Sequence, residues 1–104
     1  MGKWIEVAPE AEFTETVRVV EYDGEEIAVF RLEDGFYAIN NICSHAEAPL
    51  AEGEVIDGCI VECPLHGAQF DIRTGQNLSF PAVVPVKSYP TKVENGIVYV
   101  EVED

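Results

Sequence analysis

The sequence predicts an all-β fold, and three observations carry that reading. Short runs rich in Val, Ile, Phe and Tyr recur along the chain, separated by turn signals. Two of those signals, Asp23-Gly24 and Asn95-Gly96, are dipeptides that close two-residue hairpins. A length of 104 residues with 47% hydrophobic content suits a single domain, 1–104, built around its own core.

Taken in order, residues 9–15 (PEAEFTE) leave room for one helical turn. Residues 16–22 (TVRVVEY) form a strand that runs into Asp23-Gly24, and 25–32 (EEIAVFRL) return from it. Glu33-Asp34-Gly35 turns the chain into 36–42 (FYAINNI). The pattern then stops. Residues 43–58 are rich in Ala, Gly, Pro and acids, with no strand periodicity until Glu54-Val55-Ile56. Residues 59–63 (CIVEC) read as a strand, whose alternation puts Cys59, Val61 and Cys63 on one face. On that face Cys59 is expected to be a buried, inert thiol. Gly67, Thr74-Gly75, Pro81 and Pro85 punctuate the stretch from there to Pro90. Pro90 marks an edge or bend, and 91–94 and 97–102 (IVYVEV) flank Asn95-Gly96. The spacing predicts a compact antiparallel sandwich or barrel whose middle section is loops carried on strands, where sites usually sit. There is no repeat, linker or low-complexity tract.

Charge narrows the function. Twenty acidic and 6 basic residues give a net charge of −14. A phosphate-binding surface is basic, so no nucleic-acid partner is expected, and a polybasic membrane contact is excluded on the same ground. The acidity suits either a protein partner with a basic docking face or simple solubility and habitat. No stretch approaches the roughly 18 apolar residues of a membrane helix. The start of the chain, Met1-Gly2-Lys3-Trp4-Ile5-Glu6, has no apolar run of the signal-peptide kind, so a cytoplasmic protein is expected. Three cysteines are an odd count, unlike a secreted disulfide scaffold.

Two short boxes carry the chemistry. Cys43-Ser44-His45 is a Cys-x-His pair, and Cys63-Pro64-Leu65-His66 is a Cys-x-x-His pair. The chain has 2 histidines, and each stands beside a cysteine at ligand spacing. Thiolates and imidazoles are the ligands that zinc, copper and iron–sulfur centres prefer. Two of each can hold a zinc ion, or a [2Fe–2S] centre with both thiolates on one iron and both imidazoles on the other. A Cys43–Cys63 disulfide and a chance placement of core residues are the bland alternatives. The disulfide leaves both histidines unexplained, and structural zinc usually pairs Cys with Cys and His with His.

The stretches Cys-Ser-His-Ala-Glu-Ala-Pro-Leu (43–50) and Cys-Pro-Leu-His-Gly-Ala-Gln-Phe-Asp (63–71) resemble the two ligand loops of Rieske proteins. Arg73-Thr74-Gly75 and Phe80-Pro81-Ala82 extend the likeness, which covers about residues 4–102. In length the chain resembles the Rieske ferredoxins of bacterial aromatic-ring dioxygenase systems. The resemblance implies stacked antiparallel sheets with a small cluster-binding subdomain, about 42–82, formed by the two ligand loops. It implies one [2Fe–2S] cluster per chain, with Cys43 and Cys63 on the inner iron and His45 and His66 on the outer. Pro81 would belong to a third loop that covers the cluster.

The departures matter. High-potential Rieske proteins carry an extra cysteine in each box, which pair in a disulfide between the loops; here those positions are Ala48 and Leu65, so that disulfide cannot form. They also place a Ser after the second box's glycine, where it can bond a cluster sulfide; here it is Ala68. Fewer such bonds favour a potential in the lower part of the roughly −150 to +300 mV Rieske range. Leu65, Pro49, Leu50 and Phe80 are candidates to clamp the loops by packing instead. Glu47, Glu52, Glu54 and Glu62 lie near the boxes in sequence and are candidates to steer a basic partner.

The resemblance thus implies an electron carrier and not an enzyme. A Rieske oxygenase also needs a mononuclear iron, held by two histidines and a carboxylate, and no histidine remains for it. No catalytic triad, phosphate loop or dinucleotide fingerprint is present, and no small-molecule substrate is expected. The implied partners are a flavin-containing ferredoxin reductase that uses NAD(P)H and a terminal oxygenase. The alternatives are the small subunit of a nitrite reductase or another multi-subunit oxidoreductase, and a structural zinc protein.

Overall fold

The computed structural model describes residues 2–42, 49–64, 67–78 and 85–103. Among these described residues ten strands form three antiparallel sheets. β1 (Gly2–Pro9), β9 (Thr91–Glu94) and β10 (Ile97–Glu103) make the first, in the order β1-β10-β9. β2 (Val17–Tyr22), β3 (Glu25–Leu32), β4 (Gly35–Asn40) and β8 (Ser88–Tyr89) make the second, in chain order. The third is the small sheet β5 (Glu54–Ile56), β6 (Ile60–Glu62) and β7 (Gln69–Asp71).

The two hairpin dipeptides fold as their chemistry requires. Asp23 and Asn95 take positive φ angles of 51° and 53°, the left-handed region that short Asx side chains tolerate. Tyr22 then faces Glu25, and Glu94 faces Ile97. The expected turn at 9–15 is a single 3-10 turn, Glu10–Glu12.

β3 explains the two-core architecture. Its residues Ile27, Ala28, Val29 and Phe30 are all buried, because alternate side chains enter different cores. Ile27 and Val29 join Phe13, Val98 and Val100 between the first and second sheets. Ala28 and Phe30 join Leu50, Val61, Phe70 and Ile72 between the second sheet and the small one. Full burial of a side chain such as Phe30 or Phe70 contributes about 1.5–3 kcal/mol.

Three strands escape the sequence pattern. β1 carries a bulge between Glu6 and Ala8, which breaks its alternation. β7 and β8 are 3 and 2 residues long, too short to show a period. Cys59 also departs from expectation. β6 begins at Ile60, so Cys59 belongs to the turn before it and is half-buried, not enclosed beside Val61.

Candidate metal centre

Of the four expected ligands, Cys63 lies within the described residues; Cys43, His45 and His66 lie outside them, as do Leu65, Phe80 and Pro81. Cys63 follows β6 and is 1% exposed, packed with Leu50, Val61, Ala68 and Phe70. Its backbone amide donates to the Ala68 carbonyl at 2.6 Å, and the Gly67 amide donates to the Cys63 carbonyl at 3.1 Å. These two bonds tie Cys63, after β6, to Gly67 and Ala68, before β7.

The described residues on either side of 43–48 are tied to each other. Ile42 bridges Pro49, and the Leu50 amide donates to the Asn41 carbonyl at 2.6 Å. Leu50 then plunges into the second core, as a clamping role requires, while Pro49 is half-buried. Asn40 caps the start of the segment, accepting from the Ile42 amide at 2.9 Å. The same side chain donates to the Tyr89 hydroxyl at 3.3 Å. Burial pushes the Tyr89 phenol above its ordinary pKa.

The described residues on either side of 79–84 are also tied down. The Leu78 amide donates to the Gln69 carbonyl, and the Val86 amide donates to the Gly75 carbonyl at 2.9 Å. Leu50, Cys63 and Val86 thus bring the feet of all three loops into one apolar cluster. A thiolate at Cys63 in that setting requires a bound cation to offset its burial. The chemistry of the donor set, two thiolates and two imidazoles on loops rooted in one core, fits an iron–sulfur centre. Among the described residues no three Cys, His, Asp or Glu groups form a separate metal set.

The small sheet is latched to the second sheet from outside. Arg73 Nη2 stands 3.2 Å from Asp34 Oδ2, and Tyr37 donates its hydroxyl to the same oxygen at 3.1 Å. Hydrogen bonding to Arg73 lowers the Asp34 pKa, and the same bond raises that of Arg73. Around this sheet Glu52 and Glu54 are exposed, Glu62 is half-buried, and Glu47 lies outside the described residues. Arg73 is the basic side chain of described residues 49–64 and 67–78.

The family described as the Rieske [2Fe-2S] domain matches residues 3–90. The chain belongs to that family. It is 43% identical over 103 residues to the anthranilate 1,2-dioxygenase ferredoxin subunit of Burkholderia cepacia, covering 98% of this chain and 94% of that protein. Its fold superposes with a TM-score of 0.86 on a chain of a complex of reduced oxygenase and oxidized ferredoxin in carbazole 1,9a-dioxygenase. That match has 38% identity and covers 93% of this chain and 91% of the other. A putative NADH-dependent nitrite reductase small subunit from Mycobacterium tuberculosis superposes equally well, at 0.85, over 100% and 98% of the two chains, with 25% identity. Backbone similarity therefore does not separate these two matches, whereas sequence identity is higher to the ferredoxin subunit and to the oxygenase–ferredoxin complex. Among the described residues no helix is long and apolar enough to cross a membrane.

The sequence does not reveal the tertiary roles of Asn41, Gly53 and Gly75 or the Asp34–Arg73 latch; Gly75 enters it only as a turn signal and part of a family motif. The first three act through close approach of segments distant in the chain, which no local pattern encodes. Asp34 reads in the sequence as a turn residue and Arg73 as part of a family motif, with nothing to link them.

Proposed function

We propose that the chain is an electron-transfer ferredoxin holding one [2Fe–2S] cluster, which accepts single electrons from a flavin reductase and delivers them to a terminal oxygenase. The observation that carries this is the near end-to-end match to a dioxygenase ferredoxin subunit. The protein is read as a single domain, 1–104, with a cluster-binding subdomain of about 42–82, working in the cytoplasm. It has no catalytic residues in this reading; its work is to hold, tune and present the centre.

When bound, the cluster supplies a couple that takes up and releases one electron. Cys43 and Cys63 would hold the inner iron as thiolates, and His45 and His66 the outer iron through ring nitrogens. Leu50, Val61, Phe70 and Val86 exclude water from the Cys63 side of the site. Ala68 offers no hydroxyl to a sulfide, which supports a potential in the lower part of the Rieske range. The acids of the small sheet present a negative surface to a basic partner.

The test is low-temperature EPR of dithionite-reduced protein purified without air, with iron and acid-labile sulfide measured on the same sample. A rhombic signal of low average g, with iron and sulfide in equal amounts, is the expected result. A silent sample containing zinc and no sulfide overturns the reading. Co-purification with a large siroheme protein would instead support the nitrite-reductase alternative.

A further inference from the structure

Asn41 is the fully buried polar residue of the described structure, at 2% exposure. It follows β4 and stands two residues before Cys43. Its side chain bonds in two opposite directions. Nδ2 donates to Glu26 Oε1 at 2.9 Å, and Oδ1 accepts from the Ala51 amide at 2.8 Å. Its backbone repeats the arrangement: the amide donates to the Glu26 carbonyl at 2.8 Å, and the carbonyl accepts from Leu50 at 2.6 Å. Four bonds therefore tie Asn41 to β3 on one side and to the returning limb of the first loop on the other. The Ala51 amide can only donate, so the amide oxygen must face it and the nitrogen must face Glu26.

We infer that Asn41 is a positioning residue for the first ligand loop, holding the outgoing and returning ends of 42–49 together and thereby fixing where Cys43 and His45 stand. The inference rests on the proposed ligand role of those two residues. Groups that orient metal ligands without touching the metal tune the centre they surround. A residue serving only to fill space would be apolar, since a buried polar group costs stability unless every bond is satisfied. What this position uses is one donor and one acceptor on a single short side chain. Asparagine has both. Aspartate has the same shape but only acceptors in its ionised form, so Asn41→Asp sets a carboxylate against the Glu26 carboxylate. Glu26→Gln restores a donor across the same contact, with its direction reversed.

The test compares wild type, Asn41→Asp, Glu26→Gln and the double variant, each purified with its centre intact. Two quantities are read: the g values of the reduced protein, and the rate at which a chelator bleaches the visible absorbance. Asn41→Asp is expected to shift the g values and speed bleaching by about 10- to 100-fold. The double variant is expected to return both to the wild-type values. The inference is overturned if the g values of Asn41→Asp match wild type while unfolding followed by circular dichroism moves equally in the single and double variants. If Asn41→Asp does not fold, the double variant decides alone: a wild-type spectrum supports the inference, and an altered or absent one overturns it. Zinc without sulfide in the wild type would sink the electron-carrier reading instead. Chelator-driven zinc release from the same four proteins would then still read the positioning role.

Discussion

A series of three glycine substitutions tests whether the loop feet are held by close backbone approach. Gly96 has a φ of 76° and open space where a Cβ would go, so Gly96→Ala meets only the left-handed backbone cost, about 1–2 kcal/mol. Gly53 has an ordinary φ of −80°, but a Cβ there would collide with the Glu62 carbonyl, whose carbon lies at 3.0 Å. Gly53→Ala therefore meets only an overpacking cost of about 1–3 kcal/mol. Gly75 combines both, with a φ of 80° and a Cβ that would strike the Val86 carbonyl. That contact lies beside the Val86-to-Gly75 hydrogen bond closing the base of 79–84. Gly75→Ala should thus cost roughly 2–5 kcal/mol, a large part of the 5–15 kcal/mol that typically holds a small domain. Urea unfolding followed by circular dichroism, with cluster absorbance recorded in parallel, reads both consequences. At a slope of about 1–3 kcal/mol per molar, the extra overpacking cost should put the Gly75→Ala midpoint at least ~0.3 M below that of Gly96→Ala, with its colour lost first. Equal midpoints for those two variants would refute the close-approach argument.

Four further outcomes are expected from the same geometry. Ala68→Ser adds a hydroxyl beside the Cys63 turn; a bond about 0.5–1.5 kcal/mol stronger in the reduced state would raise the potential by roughly 20–60 mV, read by a redox titration. Ile27→Ala and Leu50→Ala each empty a fully buried site and should cost about 2–5 kcal/mol, but only Leu50→Ala, in the core beneath the loops, should also change the EPR g values. The Asp34 carboxyl, held below its ordinary range by Arg73, should titrate by carbon NMR below an unfolded-chain carboxyl. Because its folded pKa is depressed, its stabilising contribution is full above the unfolded value and is lost as pH falls through the folded one, and Arg73→Met should return the titration to the ordinary range. Electron transfer to a basic partner should slow as salt rises, measured by stopped flow, and a rate indifferent to salt would remove the steering idea.

The all-β scaffold is legible in the sequence because its signals are local. Asp23-Gly24 and Asn95-Gly96 specify hairpins through two residues each, and the 25–32 run matches β3 end to end. β1 is hidden by the bulge that puts Glu6 and Ala8 out of step, and β7 and β8 by their brevity. Cys59 defeats the alternation rule because the strand starts one residue later, after the turn opened by Asp57-Gly58. The ligand boxes stand out through residue economy, since both histidines lie beside cysteines. Their supports do not. Asn41 finds its side-chain partners 15 residues back and 10 residues ahead, at Glu26 and Ala51, and only a folded chain brings those together.

The two cores divide the work of the molecule. The first, around Ile27, Val29, Val98 and Val100, joins two sheets, and Leu50, Cys63 and Val86 lie outside it. The second takes one residue from the foot of each loop, Leu50, Cys63 and Val86, and closes over them with Phe70 and Phe30. β3 belongs to both, because four consecutive buried side chains face alternately into each. Rigidity built in the first core therefore reaches the second through β3 and through β4, whose Ala38 and Ile39 face different cores, and Tyr89 of the first core also accepts from the Asn40 side chain at 3.3 Å. Backbone similarity runs equally to a chain of the oxygenase–ferredoxin complex and to a putative nitrite reductase small subunit, so the shared framework alone does not carry the distinction between them.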